Sequence, residues 1–498
     1  MSFRCNYLLA MIALVGIGFP GALAQSAQLP AAEPVQQIPV PPTLPEIPLS
    51  ATQDRFLGPV LPTPSSLVRI PEQRQVPLET RWADGLLSKS SDNGFHIHVG
   101  GNAQVDSTWF SAPANAFQLP NNKGTSGVGG ASATYLRRVR LRVEGEIYDQ
   151  FDFIVEYDFA NANNENDGLQ PASFNNLAGQ PIPTNIWMQV RDVPYVGNVR
   201  FGNLTKPIGM TNNTPQTMLP FMERPDNNDA FYAPFDSGFA LGIVARNHTD
   251  NERVTWQYGV YRPATNAFGV ALNKFEWGAR VTGLPMYEDD GKYLIHLGMG
   301  TLNGEIVEDE GRARARPLLR NGPGFTNPIL VDTGNFLADR QYTLAPEFAA
   351  VAGPWSLQAE WAGQFFTDVT PSGKPNQGTV LLHGGYIDVL YFLTGEYQPY
   401  NKSDGAFGRV IPNQNLRMKR SEGVTGFGAW QVGTRFSYLD LNDKAIQGGT
   451  VYDWTVGLNW YWNPNMKVQL NYILECRDQP GVAAAWINGI GLRGAYDF

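Results

Sequence analysis

Residues 488–498 read N-G-I-G-L-R-G-A-Y-D-F, and the reading of this stretch decides the fold. Ile490, Leu492, Gly494, Tyr496 and Phe498 fall on one side, and Gly491, Arg493, Ala495 and Asp497 on the other. This period of two puts alternate side chains on opposite faces of a β-strand. The apolar side runs through Tyr496 to a terminal Phe498. A strand that is apolar on one face and ends on an aromatic residue is expected to be the last strand of a bacterial outer-membrane β-barrel, with its rings at the membrane edge.

Working back from the terminus, the same alternation recurs over most of the chain and begins abruptly at Gly94, where Phe95, Ile97, Val99, Ala103, Val105 and Trp109 alternate with His96, His98, Asn102, Gln104, Asp106 and Thr108. The pattern predicts strands near 94–109, 135–147, 150–160, 184–192, 198–206, 237–247, 251–262, 272–283, 291–301, 338–351, 354–365, 383–396, 427–440, 449–462, 465–474 and 488–498. The fold class is therefore all-β, a transmembrane antiparallel barrel of about 16 strands. Connections such as Tyr148-Asp149-Gln150 and Ala352-Gly353 are tight, and they alternate with long ones, as expected of a barrel with turns at one end and loops at the other. The segment 397–426 breaks this rule, being long where a turn is due. Tyr452, Trp454, Trp460 and Trp462 share one face of a strand that carries Asp453, Thr455 and Asn459 on the other, the placement of an interfacial aromatic belt.

The other end of the chain has a different composition. Arg4, an apolar run from Tyr7 to Phe19 and Ala22-Leu23-Ala24 predict a secretory signal over 1–24, cleaved after Ala24. Residues 25–90 are rich in proline and predict an extended periplasmic leader, with cell-wall contact as its functional reading and a bare tether as the plainer one. The barrel domain is then 91–498. Fifty-two glycines, 12% aromatic residues and a mean hydropathy of −0.26 suit a wall with one face to lipid and one to water. A net charge of −9 argues against nucleic acid as a partner. Cys5 leaves with the expected signal, which makes Cys476 the only cysteine expected in the mature chain and excludes an intramolecular disulfide framework.

Several words, in order, resemble the phosphate-selective porin O and P family. They are Tyr135-Leu136-Arg137-Arg138-Val139-Arg140-Leu141, Val155-Glu156-Tyr157-Asp158-Phe159-Ala160, Gly197-Asn198-Val199-Arg200-Phe201-Gly202, Phe221-Met222-Glu223-Arg224-Pro225, Tyr391-Phe392-Leu393-Thr394-Gly395-Glu396 and Gly457-Leu458-Asn459-Trp460-Tyr461. The resemblance runs from about residue 94 to the terminus. It implies a homotrimeric, sixteen-stranded outer-membrane channel whose third extracellular loop folds inward and whose lumen carries arginines and lysines that conduct anions.

Alternation places Arg138, Arg140 and Arg142 on the face opposite Val139, Leu141 and Val143, projecting into the lumen. A ladder of guanidiniums lets an anion trade part of its hydration for successive contacts without being held too tightly at one. Pairing across the Tyr148-Asp149-Gln150 turn would set Arg140 opposite Asp158 and Arg142 opposite Glu156, so an ion-paired wall is the competing reading. The other candidate pore-lining residues are Arg200, Lys206, Arg224, Arg246, Arg280 and Arg435. Arg191, Lys274 and Arg493 are further lumen bases, and Asp152, Glu276, Glu360, Asp388 and Asp453 are expected to come close to balancing this set. The third loop, 207–236, carries Arg224 but also Glu223, Asp226, Asp229 and Asp236, and has Phe235-Asp236 where the family often has an arginine. Weak phosphate preference is the expectation unless those acids face the wall.

No metal site, cofactor motif or catalytic constellation emerges, and the chain reads as a channel rather than an enzyme. Asn161-Ala162-Asn163-Asn164-Glu165-Asn166-Asp167-Gly168 lacks the full spacing and closing glutamate of a calcium loop, and the five histidines have no evident serine partner. The function expected is passive diffusion of small anions, with phosphate as a candidate, or of small hydrophilic solutes. A general or sugar-type porin and an envelope-anchoring barrel are the alternatives.

Overall fold

The computed structural model describes residues 76–92, 94–120, 132–160, 181–232, 239–262, 274–306, 309–321, 327–421 and 423–498. The expected signal, most of the leader, Asp236 and the stretch 161–168 lie outside the described residues.

Sixteen antiparallel strands form a closed barrel. In chain order they are Phe95–Ser111, Ala133–Ile147, Phe151–Asp158, Ile182–Val193, Gly197–Thr205, Phe239–His248, Val254–Arg262, Glu276–Glu288, Tyr293–Glu305, Arg340–Ala352, Trp355–Phe366, Val380–Phe392, Ala429–Asp443, Ile446–Asn463, Met466–Asp478 and Ala485–Asp497. The last pairs with the first, from Asn488 opposite Ser111 to Asp497 opposite Asn102. Phe498 adds a backbone hydrogen bond in each direction with Gly101. Closure leaves no unpaired edge, which is what allows strands to sit in hydrocarbon. No helix among the described residues is long and apolar enough to cross a membrane.

The alternation read in the sequence is the alternation of the wall. On the final strand Trp486, Ile490, Leu492 and Tyr496 face outward and are exposed, while Ile487 and Arg493 face inward and are buried. Leu141, Phe201, Ile243, Val281, Leu297 and Phe348 continue the outward apolar surface around the barrel. An apolar belt of this extent on a water-soluble protein would be an aggregation liability; in a bilayer it is the solvated face. Rings gather at the short-turn end. Trp430 stacks on Trp460 with centroids 4.9 Å apart, Trp355 lies 4.6 Å from Tyr391, and Phe498 stacks between Tyr496 and Trp82.

The turn at Tyr148-Asp149 has positive φ at both residues, the mirror-type turn whose twist suits a hairpin. It sets Arg140 opposite Asp158 and Arg142 opposite Glu156, the pairing expected from sequence.

Three features depart from the sequence reading. The leader expected to run through residue 90 is ordered near its end, where Leu78–Trp82 and Leu86–Ser90 form a hairpin that adds to the Phe95–Val99 end of the first strand. The two strands read L-E-T-R-W and L-L-S-K-S, which carry no clean period of two, so the sequence pattern does not mark them as strands. The connection expected as a loop over 441–448 is a tight turn at Lys444, with the flanking strands running to Asp443 and from Ile446. The long segment after Phe392 contains two small hairpins, Tyr400–Asn401 with Ala406–Phe407 and Arg417–Lys419 with Gly423–Gly426.

The buried apolar core lies toward the long-loop ends of the strands, where Ala116, Phe117, Ile306, Leu330, Val331 and Phe336 from loops pack on inward residues such as Leu382, Leu439 and Ile487.

Candidate ion pathway

The segment after Thr205 crosses the inside of the barrel, and its contacts define where the open space is left. A short helix, Met210–Asn213, presents its first amides to Glu360, with Thr211 N–H donating at 2.7 Å and Met210 N–H at 3.1 Å. A carboxylate at a helix start accepts otherwise orphaned N–H groups. Further along, Lys467 donates to the Leu219 carbonyl at 2.8 Å and Asn459 to that of Pro220 at 2.8 Å. Arg435 donates to the Glu223 carbonyl at 2.9 Å while it grips Asp388 with two bonds of 2.7 and 2.8 Å.

Glu223 is the main lock of this segment. Its carboxylate accepts from Arg137 at 2.9 and 3.1 Å and from Arg493 at 2.9 Å, and Arg138 lies 3.6 Å away. Arg493 in turn holds Asp106 with two bonds of 2.7 Å and donates to the Met222 carbonyl. Burial pushes the Glu223 carboxyl up, but the three guanidiniums outweigh it and hold it well below the ordinary carboxylate range. Arg137 was not among the residues expected in the lumen. A β-bulge opposite Gln104 and Val105 sets an extra residue into its strand, so that Arg137 and Arg138, adjacent in sequence, both turn inward. Strict alternation cannot anticipate this; the doubled arginine in Tyr135-Leu136-Arg137-Arg138 was the available signal.

Two other acids of the segment, Asp226 and Asp229, also lie outside the lining of the open space. Asp226 is buried, and burial lifts its carboxyl above the ordinary range. Asp229 accepts from the Arg316 N–H at 3.0 Å and lies 3.3 Å from the Arg320 guanidinium.

With the segment pressed against the wall from Arg340 onward, a cavity of about 390 Å³ remains on the opposite side of the barrel. Six arginines line it, Arg140, Arg142, Arg200, Arg224, Arg246 and Arg280, against two carboxylates, Glu156 and Asp404. Arg140 is committed to Asp158 at 2.9 Å and Glu156 at 3.3 Å. Arg142 lies 3.5 Å from Glu144 and is partly exposed. Arg200 lies flat on Trp187, 4.0 Å from the ring centre, and donates to Gln189 at 2.7 Å; no carboxylate among the described residues pairs with it. Arg224 donates to the Thr211 and Thr214 carbonyls at 2.9 Å each, and burial brings its pKa down to about 10, which leaves it charged at neutral pH. Arg246 pairs with Asp404 at 2.5 Å, and Arg280 with Glu347 at 2.8 Å.

Three expected pore residues lie elsewhere. Lys206 is buried 3.0 Å from Glu276, Arg138 donates to Gln104 at 2.8 Å, and Arg435 is enclosed by Asp388 and the Phe221 ring. The near balance of acids and bases expected for the lumen does not hold at the cavity, because Asp152, Glu276, Glu360, Asp388 and Asp453 are all outside its lining. Asp152 is held by Arg191, and the others are spent on the lysine, helix, arginine and serine contacts behind the wall or the crossing segment.

A closed barrel with an apolar outer belt and a charged, partly occupied interior defines an outer-membrane channel for passive diffusion. The profile of the family described as phosphate-selective porin O and P matches residues 114–498, and the chain belongs to that family. An uncharacterised protein of Caulobacter vibrioides is 27% identical over 407 residues, covering 80% of this chain and 71% of the relative. Porin O of Pseudomonas aeruginosa is 22% identical over 427 residues, covering 79% and 86%. Among solved structures, the outer-membrane channel DcaP of Acinetobacter baumannii aligns over 82% of this chain and 99% of its own, at 13% identity and a TM-score of 0.44. OmpT of Vibrio cholerae in its trimer form aligns over 81% and 100%, at 11% identity and a TM-score of 0.45.

Proposed function

We propose that this channel passes small anions, inorganic phosphate among them. The observation that carries this reading is the cavity lining, where Arg140, Arg142, Arg200, Arg224, Arg246 and Arg280 outnumber Glu156 and Asp404. Excess positive charge in a narrow space between low-dielectric walls raises the local concentration of anions and repels cations. Graded pairing, from Arg140 held by two carboxylates to Arg200 held by none, offers successive sites of unequal strength, which favours entry without trapping. The objection that acids of the third loop oppose anions loses force for the described ones, since Glu223 and Asp226 are buried and Asp229 lies beside Arg316 and Arg320. A sugar-type porin would use open aromatic faces; the Trp187 ring in the cavity is covered by Arg200.

The same reading includes export by a signal cleaved after Ala24, long loops on the extracellular side, assembly as a homotrimer, and a proline-rich leader that reaches toward the cell wall. These extend the family resemblance and the N-terminal sequence pattern. Reversal potentials of the purified protein in planar bilayers under a potassium chloride gradient test the central claim. Anion selectivity is expected, with phosphate reducing chloride current. Cation selectivity would overturn it.

A further inference from the structure

The segment after Phe392 returns into the barrel from the short-turn end. Its hairpin of Tyr400–Asn401 and Ala406–Phe407 carries a tip, Lys402 to Gly405, that meets the arginine cavity. The base of the hairpin is fixed: the Tyr400 hydroxyl lies 2.7 Å from His296 Nδ1, and Phe407 is buried with Met210, Leu294 and Ala349. The tip is held by the pore's own cations. Arg280 donates to the carbonyls of Asp404 at 3.0 Å and Gly405 at 2.6 Å, and Arg246 donates to that of Ser403 at 3.1 Å. The Asp404 carboxylate takes the remaining bond from Arg246 at 2.5 Å and one from Asn401 at 2.7 Å.

Two features set this carboxylate apart from the other acids near the cavity. Glu156 belongs to a barrel strand and is placed by its register, whereas Asp404 is carried by an inserted tip. Asp404 is also wet, its side chain being 44% exposed, and Ser403 and Asp404 line both the arginine cavity and a second cavity, of about 490 Å³, that reaches Glu252 and Asp290 of the short turns. The tip therefore borders both spaces.

A carboxylate and a small oxyanion make the same demand on a guanidinium. We propose that Asp404 is a tethered counter-anion that occupies Arg246 when the channel is empty and exchanges with each anion in transit, so that it sets how tightly the arginine cluster holds anions. This rests on the anion-channel reading and adds a residue that tunes it. Without such a competitor the excess of arginines would hold a multivalent anion too long for conduction.

Full-length protein in planar bilayers provides the test, with chloride current as the signal and inorganic phosphate as the probe. Asp404→Asn should raise the chloride-to-potassium permeability ratio about threefold or more, and lower the phosphate concentration for half-block about tenfold. Asp404→Glu should stay near the parent. Gly405→Ala provides a second route, because φ is +60° there and a Cβ would come 2.7 Å from Thr282 Oγ1, displacing the tip with its carboxylate intact; it should shift both quantities in the same direction. Heat-modifiable mobility on gels reports that each variant is folded. If the parent is anion-selective and neither folded variant moves the ratio or the block, the tethered-anion inference is overturned while the anion channel stands. If the parent is not anion-selective and Arg246→Ala changes nothing, the underlying reading fails and the inference with it.

Discussion

Two of the segments packed inside the barrel treat their carboxylates in opposite ways. The crossing segment places Glu223 among three arginines, dry and fully bonded, where its charge is cancelled locally and serves as a fastener. The hairpin tip places Asp404 on Arg246 in contact with pore water, where its charge belongs to the pathway. A count of acids and bases in the lumen treats the two alike. Burial and the number of counter-charges separate them, since a desolvated carboxylate must be paired while a wet one is free to exchange.

The largest expected effect comes from breaking the fastener. Glu223→Ala leaves Arg137, Arg138 and Arg493 facing one another without their shared carboxylate, and should cost about 3–5 kcal/mol. Urea titration of the folded band on unheated gels would read it, together with larger and noisier single-channel currents as the segment loosens. A stable variant with unaltered currents would mean that backbone contacts to Leu219, Pro220 and Met222 suffice.

Next in size is Arg200→Ala. As the wall arginine of the cavity with no carboxylate partner among the described residues, Arg200 contributes uncancelled charge, and its loss should reduce the anion-to-cation permeability ratio about fivefold. Reversal potentials measured in a salt gradient give the number.

Arg138→Gln provides the contrast. Arg138 belongs to the same apparent ladder as Arg140 and Arg142 but points to Gln104 and Glu223 and is absent from the cavity lining, so the permeability ratio should change by less than about twofold. A shift as large as that for Arg200 would restore the simple ladder.

The smallest expected effect is with pH. A carboxylate whose folded pKa is depressed stabilises the folded state above its unfolded pKa, and that stability is lost only as pH falls through the folded value. Glu223 lies well below 4.5 in the folded protein, so its own hold on Arg137 and Arg493 should persist from neutral pH down to about 4.5. A step in conductance in that window would point to a group other than Glu223.

Much of this was legible in the chain. The strands, their number, the lipid-facing residues and the Arg140–Asp158 register all follow from a period of two and one tight turn, because each depends on neighbours in sequence or directly across a hairpin. The candidate residues were legible only as residues that face inward. Arg138, Lys206 and Arg435 satisfy that description as well as Arg200 does, and yet they are bonded behind the pathway. Arg137 escaped because a bulge adds one residue to its strand.

What the sequence determined by itself, then, is the wall: alternation forces one face to lipid and one to water, and hairpin turns force the order of strands. What only the tertiary structure decided is which inward charges an ion can meet. Glu223 joins Arg137 and Arg493 across 86 and 270 residues, and Asp404 joins Arg246 across 158. No local pattern encodes such pairs, because they exist only once the barrel has closed and two connections of very different origin have been packed inside it.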